Sequence, residues 1–340
     1  MLINRISKKA NVILSGDKYD FALLSYSTEN IGDEIQSIAA NRFLPKINYY
    51  INRDTLSKFK SNNKKPIKLI MNGWYMMSPE NWPPIDKCIL PLLTSIHIAK
   101  KYDNISKAFR SKESIRYLSA NSPVGARDRS TLDFLKENHI ESYLSGCLTL
   151  TLNRNRFLKR EDYILAVDLS QSAIDYIRKV TDRRVVTISV YHNPNMSQER
   201  RIKLAKYYLY CYQSAHIVIS TRLHAILPSL AFRVPVVAIK EDGKYEHERF
   251  DWLSGLVTMY SLSEFKKEFS RDKIENPAPN KKDYLIIRKN LINICKEFTG
   301  YNSTTACFST GDIKNLYKDN DFMQLLYSSL SDSGVLLSRD

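Results

Sequence analysis

Short apolar runs alternate along the chain with longer segments in which apolar residues recur at helical spacing. Ile35, Ile38, Ala39 and Phe43, for example, fall on one face of a helix. By the same criterion we predict helices at residues 33–43, 130–138, 199–211 and 223–231, the second of them capped by Ser130. The predicted strands are residues 21–26, 68–71, 88–93, 143–152, 163–167, 185–190, 216–220 and 234–239.

Strands that alternate with helices predict an α/β protein with parallel sheets. The strands are apolar almost throughout, which is typical of sheets covered on both faces. We predict two Rossmann-like domains, residues 1–155 and 156–300, joined through the charged segment 153–162. Residues 301–340, rich in Ser, Thr, Asp and Asn, form an appendage. Ligands of parallel sheets bind at the carboxyl ends of strands, so we expect a site in the cleft between the domains.

The chain is strongly basic, with 51 Lys and Arg against 36 Asp and Glu and a net charge of +15. This excess suits nucleic acid, an acidic membrane surface or a phosphorylated substrate; the alternative is a basic surface without a dedicated partner. No basic block and no RNP-like, zinc-finger or zipper motif occurs, so we expect no nucleic-acid partner. Runs free of charge hold about fifteen residues, whereas a membrane-spanning helix needs about twenty.

The cysteine pattern argues against both a disulfide framework and a zinc site. The five cysteines are an odd number, and no two have C-x-x-C spacing. The amino-terminal residues lack the apolar core of a signal peptide. We therefore expect a reducing, cytoplasmic location and no metal.

Three segments that join a strand to a helix carry the candidate chemistry. In the first, Gly32 permits a tight turn before Asp33 and Glu34. These acids either complement the helix dipole or include a carboxylate that takes a proton from a hydroxyl group. In the second, Arg127 and Arg129 precede a helix, where an arginine clamps a phosphate or a carboxylate.

Each of the other candidate residues could also have a purely structural role. Arg127 has the alternative of a surface ion pair with Asp128. The third segment places Arg222 and His224 at a strand-to-helix turn, although a histidine in an apolar helix is often a core residue. Lys240 and Lys244 follow the next strand and add cations to the same edge, or belong to a solvated turn.

Together these segments resemble the polysaccharide pyruvyl transferase family. The resemblance is carried by residues 30–34, 125–130, 220–225, 235–237 and Lys244, and extends over about residues 20–260. It implies a GT-B-like fold of two Rossmann-like domains, with the acceptor on the first and the donor on the second. It also implies transfer of pyruvate from phosphoenolpyruvate to a sugar as a ketal, with release of phosphate.

The resemblance also implies roles for individual residues. Arg127, Arg222, His224 and Lys244 match the cationic phosphoenolpyruvate site. A protonated His224 is then suited to deliver a proton to the donor, because a bound anion raises the pKa of a neighbouring imidazole. Asp33 or Glu34 would deprotonate the hydroxyl, and the scheme needs no metal or cofactor beyond phosphoenolpyruvate as co-substrate.

The acceptor side departs from the family pattern. Only one glycine occurs in residues 71–75, and Gly146-Cys147 stands where many members have Asp-Pro. The acceptor-side candidates are Asn30, Asn72 and Trp74.

The expected partner is a glycan or lipid-linked sugar of exopolysaccharide or capsule biosynthesis. Peripheral contact with an acidic membrane, at its inner face, is a further expectation from the charge. The acceptor sugar and the oligomeric state stay open.

Two other functions compete with this prediction. A GT-B glycosyltransferase that uses a nucleotide sugar would share the fold, and Arg222 with Lys244 would neutralise its diphosphate. Against it, the sequence contains no glycine-rich phosphate loop. A non-catalytic module that binds anionic glycans fits the basic charge and the 21 tyrosines, but it does not explain why cations gather at strand ends.

Overall fold

The computed structural model of the chain describes residues 18–241 and 250–329. Within these residues it contains two all-parallel sheets, of six and five strands. The predicted fold class, α/β with two Rossmann-like units, is therefore confirmed. None of the described helices is both long enough and apolar enough to span a bilayer.

The first sheet runs in the order β2-β1-β3-β4-β5-β6. Its strands are β1 Asp20–Ser25, β2 Tyr49–Asn52, β3 Ile67–Tyr75, β4 Ile89–Ile98, β5 Val124–Ala126 and β6 Ser142–Leu144. Strand β1 is flanked by strands that follow it in sequence, with Ala22 opposite Tyr49 on one side and Leu69 on the other. Leu24, Leu69 and Ile96 are buried in the core that this sheet shares with its helices.

The second sheet runs in the order β11-β10-β9-β7-β8. Its strands are β7 Tyr163–Val167, β8 Arg184–Ile188, β9 Ile217–Ser220, β10 Val236–Lys240 and β11 Thr258–Ser261. Every residue of β7 and of β9 is buried, as the continuous apolar runs predicted. Ile164, Ile219 and Phe265 belong to the core of this sheet.

Twelve α-helices lie within the described residues. They are α1 Gly32–Asn41, α2 Asp103–Phe109, α3 Lys112–Ala120, α4 Arg129–Glu137, α5 Gln171–Val180, α6 Gln198–Ser214, α7 Leu223–Ala231, α8 Leu262–Glu268, α9 Arg271–Glu275, α10 Tyr284–Thr299, α11 Thr310–Lys318 and α12 Asn320–Ser329. Short 3₁₀ turns occupy Arg53–Lys58, Pro79–Asn81, Leu148–Thr151 and Asp251–Gly255.

The chain divides into two compact units whose bounds differ from those predicted. The first unit contains residues 18–27, Gln36–Thr151 and Ile286–Thr304. The second contains Thr28–Ile35, residues 152–241 and 250–285, and residues 305–329. Most of α10 therefore groups with the first sheet rather than with the second. Residues 28–35, which sequence order assigned to the first unit, group with the second.

Two local predictions are wrong for identifiable reasons. Residues 143–152 do not form one strand: β6 ends at Leu144, Gly146 has a φ of 69°, and a 3₁₀ turn follows. The cap of α4 is Asp128 rather than Ser130, because the Asp128 carboxylate accepts the Thr131 amide at 2.9 Å. The described part of the predicted appendage, residues 301–329, contains α11 and α12.

The five cysteines all lie within the described residues, and none of them forms a disulfide there.

Candidate functional site

The second sheet has a topological switch point between β7 and β9. The chain leaves β7 for β8 on one side and returns through α6 to β9 on the other. Val167 and Ser220 pair at the carboxyl ends of these two strands. Crevices at such points bind ligands in open α/β sheets. Asp168 follows β7 here, and Thr221, Arg222 and His224 follow β9.

Arg222 is held at this switch point with part of its side chain in solvent. Its Nε donates to Asp168 Oδ2 at 2.8 Å, and its guanidinium lies over the Tyr191 ring, 4.8 Å from the centroid. The Arg222 amide donates to Ser220 Oγ at 2.8 Å, which fixes the turn into α7. The side chain keeps 20% exposure. A planar guanidinium in this position can still receive an anion.

His224 lies in the first turn of α7, only 6% exposed, and it touches the glycine of the first sequence segment. A Cβ built on Gly32 would lie 2.9 Å from His224 Nδ1 and 2.8 Å from Asn30 Oδ1. Contacts this short mean that a side chain at position 32 would displace its neighbours. Gly32 is therefore required for close approach to His224, and two segments predicted from sequence meet in one place.

Residues 29–34 are held on the second unit by backbone hydrogen bonds. The Ile31 amide donates to the Val190 carbonyl at 2.9 Å, and the His192 amide donates to the Glu29 carbonyl at 2.8 Å. Asn30, a predicted acceptor-side residue, forms an antiparallel bridge with Tyr191. These contacts place the segment beside the carboxyl end of β8.

The two adjacent acids of this segment have different surroundings. Asp33 is 6% exposed, and its Oδ2 accepts the Thr28 hydroxyl at 2.8 Å. Glu34 is fully buried, and Arg201 of α6 binds it through two hydrogen bonds, Nε to Oε1 at 2.6 Å and Nη2 to Oε2 at 3.1 Å. Burial raises the pKa of Glu34 to about 7, although the guanidinium opposes this shift. With both oxygens engaged by Arg201, Glu34 is placed to hold the segment rather than to meet a substrate.

His192 is the other histidine near this segment, and its properties differ from those of a cationic ligand. Its Nε2 lies 2.6 Å from the Tyr208 hydroxyl and 3.1 Å from the Ser189 carbonyl. Burial lowers the pKa of His192 to about 4. The ring is therefore neutral at pH 7. Of the predicted donor-site residues, the described part of this unit contains Arg222 and His224.

Arg127 belongs to the first unit, where it follows β5 and is fully buried. Its Nε lies 3.8 Å from Asp128 Oδ2, and its Nη1 donates to Gln36 Oε1 at 3.4 Å. Arg127 does form the ion pair with Asp128 that was the alternative to phosphate binding. The pair lies in the interior, however, and not at the surface as expected. Arg129, the second arginine of the segment, is exposed.

Asp128 has several donors of its own. His97 Nδ1 lies 2.6 Å from its Oδ2, and the Thr131 amide donates to its Oδ1. Burial alone would raise the pKa of the Asp128 carboxyl, but His97, Arg127 and this amide together hold it below its ordinary value.

The remaining acceptor-side candidates also lie in the first unit. Asn72 is 1% exposed, and its side-chain Nδ2 donates to the backbone carbonyl of Gln36 at 3.1 Å. Arg127 and Asn72 therefore both contact Gln36. Trp74 is half-buried and packs edge-on against Tyr102, with the Arg53 guanidinium 5.6 Å from its ring centroid.

Lys244 lies outside the described residues, so the predicted lysine of the donor site has no structural account. Lys240, its rival, ends β10 and is half-buried. Across residues 18–241 and 250–329, no His, Cys, Asp or Glu side chains group as a set of three or more metal ligands.

Sequence reasoning missed Asp168, Tyr191 and Arg201. Asp168 could have been found, because it follows a predicted strand at the carboxyl end where ligands bind. Tyr191 gave only the weak signal of an aromatic residue after a strand. Arg201 gave none, since it lies in a helix among other charged residues.

The family model described as polysaccharide pyruvyl transferase matches residues 30–243, more than half of the chain. No curated protein matches significantly.

Solved structures with a similar arrangement share little sequence with the chain. A functionally uncharacterized protein of Klebsiella pneumoniae is 10% identical, with a TM-score of 0.46 and coverage of 73% of this chain and 93% of that one. The UDP-GlcNAc 2-epimerase of Methanocaldococcus jannaschii is 7% identical, with a TM-score of 0.43 and coverage of 82% and 99%. The MnaA–UDP structure of S. aureus is 12% identical, with a TM-score of 0.39 and coverage of 93% and 100%.

Proposed function

Because the chain belongs to the polysaccharide pyruvyl transferase family, we propose that it transfers pyruvate from phosphoenolpyruvate to two hydroxyl groups of a glycan or its precursor. The product is a ketal, and phosphate is released. The observation that supports this proposal most is the meeting of Arg222, His224 and Gly32 at the switch point of the second sheet.

The charges at this switch point suit the donor. Phosphoenolpyruvate carries a carboxylate and a phosphate, and a guanidinium binds either group through two parallel hydrogen bonds. Arg222 supplies this group at the entrance to α7. The amino terminus of α7 adds the positive end of a helix dipole beside His224.

The reaction we propose begins with His224 as the acid. His224 protonates C3 of the enol, which leaves an oxocarbenium-like C2. The oxygen of one sugar hydroxyl bonds to C2 while Asp33 takes the proton of that hydroxyl. The bond between C2 and the phosphate oxygen then breaks. The second hydroxyl then bonds to C2 and loses its proton, which leaves with the phosphate as hydrogen phosphate.

Asp33 is preferred over Glu34 as the base because Glu34 is bound by Arg201. We assign Glu34 and Arg201 a positioning role: their buried pair fixes the turn that brings Gly32 against His224 and carries Asp33 as the next residue. General acid–base catalysis would then use His224 as the acid and Asp33 as the base.

Arg127 and Lys244 remain proposed donor residues on the strength of the family pattern. Asn30 is proposed on the acceptor side because it lies against both Gly32 and Tyr191. Asn72 and Trp74 are proposed as acceptor residues of the first unit. The protein needs no cofactor in this scheme, since phosphoenolpyruvate is a co-substrate.

The proposal is tested by incubating the purified full chain with phosphoenolpyruvate and a panel of glycan acceptors. Two products are measured in the same reaction: released phosphate, and the ketal through the proton NMR signal of its methyl group. We expect equal amounts of both products, and only when donor and acceptor are present together. Consumption of a nucleotide sugar in place of phosphoenolpyruvate would replace this function by glycosyl transfer, and glycan binding without turnover would replace it by a binding module.

A further inference from the structure

A turn on the second unit carries the most exposed large hydrophobic side chain of the described residues. Phe157 is 90% exposed, within a segment of sequence Arg154-Asn155-Arg156-Phe157-Leu158-Lys159-Arg160. We call residues 154–160 the basic turn. A phenylalanine held this far into water covers no other part of the unit, so its own packing does not account for it.

The cations of the basic turn also lie at the surface. Arg154, Arg156, Lys159 and Arg160 are all exposed, and none forms an ion pair with another described residue. The acids that follow in sequence are engaged elsewhere: Glu161 accepts the Tyr210 hydroxyl, and Asp162 pairs with Arg183. The turn therefore presents four positive charges, none of which is paired with the two acids that follow it in sequence.

Other observations show that these charges lie close together. Arg160 donates to the carbonyl of Arg233, which brings a further exposed arginine to the same place. Burial and the neighbouring charge of Arg154 lower the pKa of Arg160. Like charges held this near to one another stabilise nothing within the chain, but they are favourable beside an anionic surface.

The basic turn is fixed rather than loosely attached. The Asn155 amide donates to Gln213 Oε1 at 2.7 Å, and Gln213 Nε2 donates back to the Asn155 carbonyl at 2.6 Å. The Phe157 amide donates to Asn155 Oδ1 at 3.0 Å. Because Gln213 lies at the end of α6, the turn is anchored to a helix and Phe157 is presented in a defined position.

The basic turn also lies away from the candidate site. It precedes the amino end of β7, whereas Asp168 and Arg222 lie at the carboxyl ends of β7 and β9. A five-residue strand spans about 17 Å. A partner bound at the turn would therefore leave the switch point of this unit open.

We propose that the basic turn docks the protein on an anionic lipid bilayer. Phe157 enters the boundary between headgroups and acyl chains, and the surrounding arginines and lysine contact lipid phosphates. An apolar tip ringed by cations fits this surface. Single-stranded nucleic acid is the weaker match, because its binding sites are grooves in which several aromatic rings stack successive bases. The inference does not depend on the proposed reaction.

The experiment uses the full chain and sedimentation with vesicles. We expect binding to vesicles of phosphatidylcholine and phosphatidylglycerol in equal amounts, and at least about tenfold weaker binding to phosphatidylcholine alone. Added salt weakens the binding, because the charges lie at the surface. Phe157→Ser and the double variant Arg154→Ser/Arg156→Ser should each reduce binding several-fold while the melting temperature stays unchanged.

Ile286→Ser is the matched control, since Ile286 is also an exposed hydrophobic residue, at 68%. It should bind vesicles like the unaltered chain. Equal binding by all variants would overturn the proposal, as would equal binding to the two kinds of vesicle. Displacement from vesicles by a short single-stranded RNA at low concentration would also overturn it in favour of a nucleic-acid surface.

Discussion

Each unit contains a buried arginine–carboxylate pair near the carboxyl end of its sheet, and the two pairs differ in how the carboxylate is satisfied. In the first unit, Asp128 receives His97 and the Thr131 amide in addition to Arg127, and its pKa falls. In the second, Glu34 depends on Arg201, and its pKa rises to about 7. Burial favours the neutral acid unless several donors converge on the anion.

The difference suggests how each pair is used. In the Asp128 cluster both carboxylate oxygens have a close partner, and the carboxylate fixes α4 as its cap. Glu34 is protonated more readily than Asp128, because its pKa is about 7. Glu34 also lies two residues after Gly32, which is in close contact with His224. We therefore expect changes in the second pair to affect turnover as well as stability.

The largest effect is expected for His224, the proposed general acid of the second unit. His224→Gln should lower kcat by roughly two to four orders of magnitude, because general acid catalysis contributes about that much. The measurement is the steady-state rate of phosphate release with saturating donor and acceptor. His216→Gln is the control: His216 lies at the other end of β9, where its Nε2 lies 2.8 Å from the Ile274 carbonyl. A His224 variant within about threefold of the control would make His224 a core residue.

The buried arginines should be the next most sensitive positions. Arg127→Ala and Arg201→Ala each leave a buried carboxylate without its arginine, which costs about 3–5 kcal/mol of unfolding free energy. Denaturant titrations at two pH values separate the pairs. At low pH, Glu34 becomes neutral and Arg201→Ala should recover part of its stability. Arg127→Ala should recover less, because His97 still holds Asp128 ionised; equal recovery would contradict the comparison.

A smaller loss is expected where the two segments touch. Gly32→Ala places a methyl group 2.9 Å from His224 Nδ1, and such overpacking costs about 1–3 kcal/mol. The displaced imidazole should also lower turnover. Gly255→Ala is the control, because nothing lies within 4 Å of a Cβ at that position. Thermal unfolding and phosphate release should both separate the two variants.

The last expected effect is a pH dependence of stability with a defined sign. The pKa of Glu34 is about 7 in the folded chain, above its value of 4.5 when exposed. Between these values the folded state binds more protons, so this group's contribution to the unfolding free energy falls as pH rises from 4.5 through 7. Glu34→Gln should remove that decline. The unfolding free energy of the unaltered chain minus that of Glu34→Gln, measured in urea from pH 5 to 8, should therefore fall as the pH rises.

Much of the fold could be predicted because it follows from local patterns. Apolar runs such as residues 163–167 identify buried strands, and the spacing of Ile35 and Ile38 identifies α1. The grouping of residues 28–35 with the second unit could not be predicted, because it depends on hydrogen bonds to Val190 and His192, far along the chain.

The candidate site, like the fold, could be predicted only in part. Arg222 and His224 could be identified because they lie at a strand-to-helix turn, and ligands bind at the carboxyl ends of parallel strands. The Glu34 pair was not predictable, because its partner Arg201 lies 167 residues away and has no motif of its own. Glu34 therefore looked equivalent to Asp33 in sequence, although burial and pairing separate the two.

We propose that the switch point of the second sheet binds phosphoenolpyruvate. Calorimetric titration of the chain with phosphoenolpyruvate tests this binding most directly. Arg222→Ala should weaken binding by about tenfold or more, since a hydrogen-bonded pair with a charged group contributes about 1.5–3 kcal/mol. Arg116→Ala removes an exposed arginine of α3 and should leave the affinity unchanged. Wild-type affinity in Arg222→Ala would contradict the account.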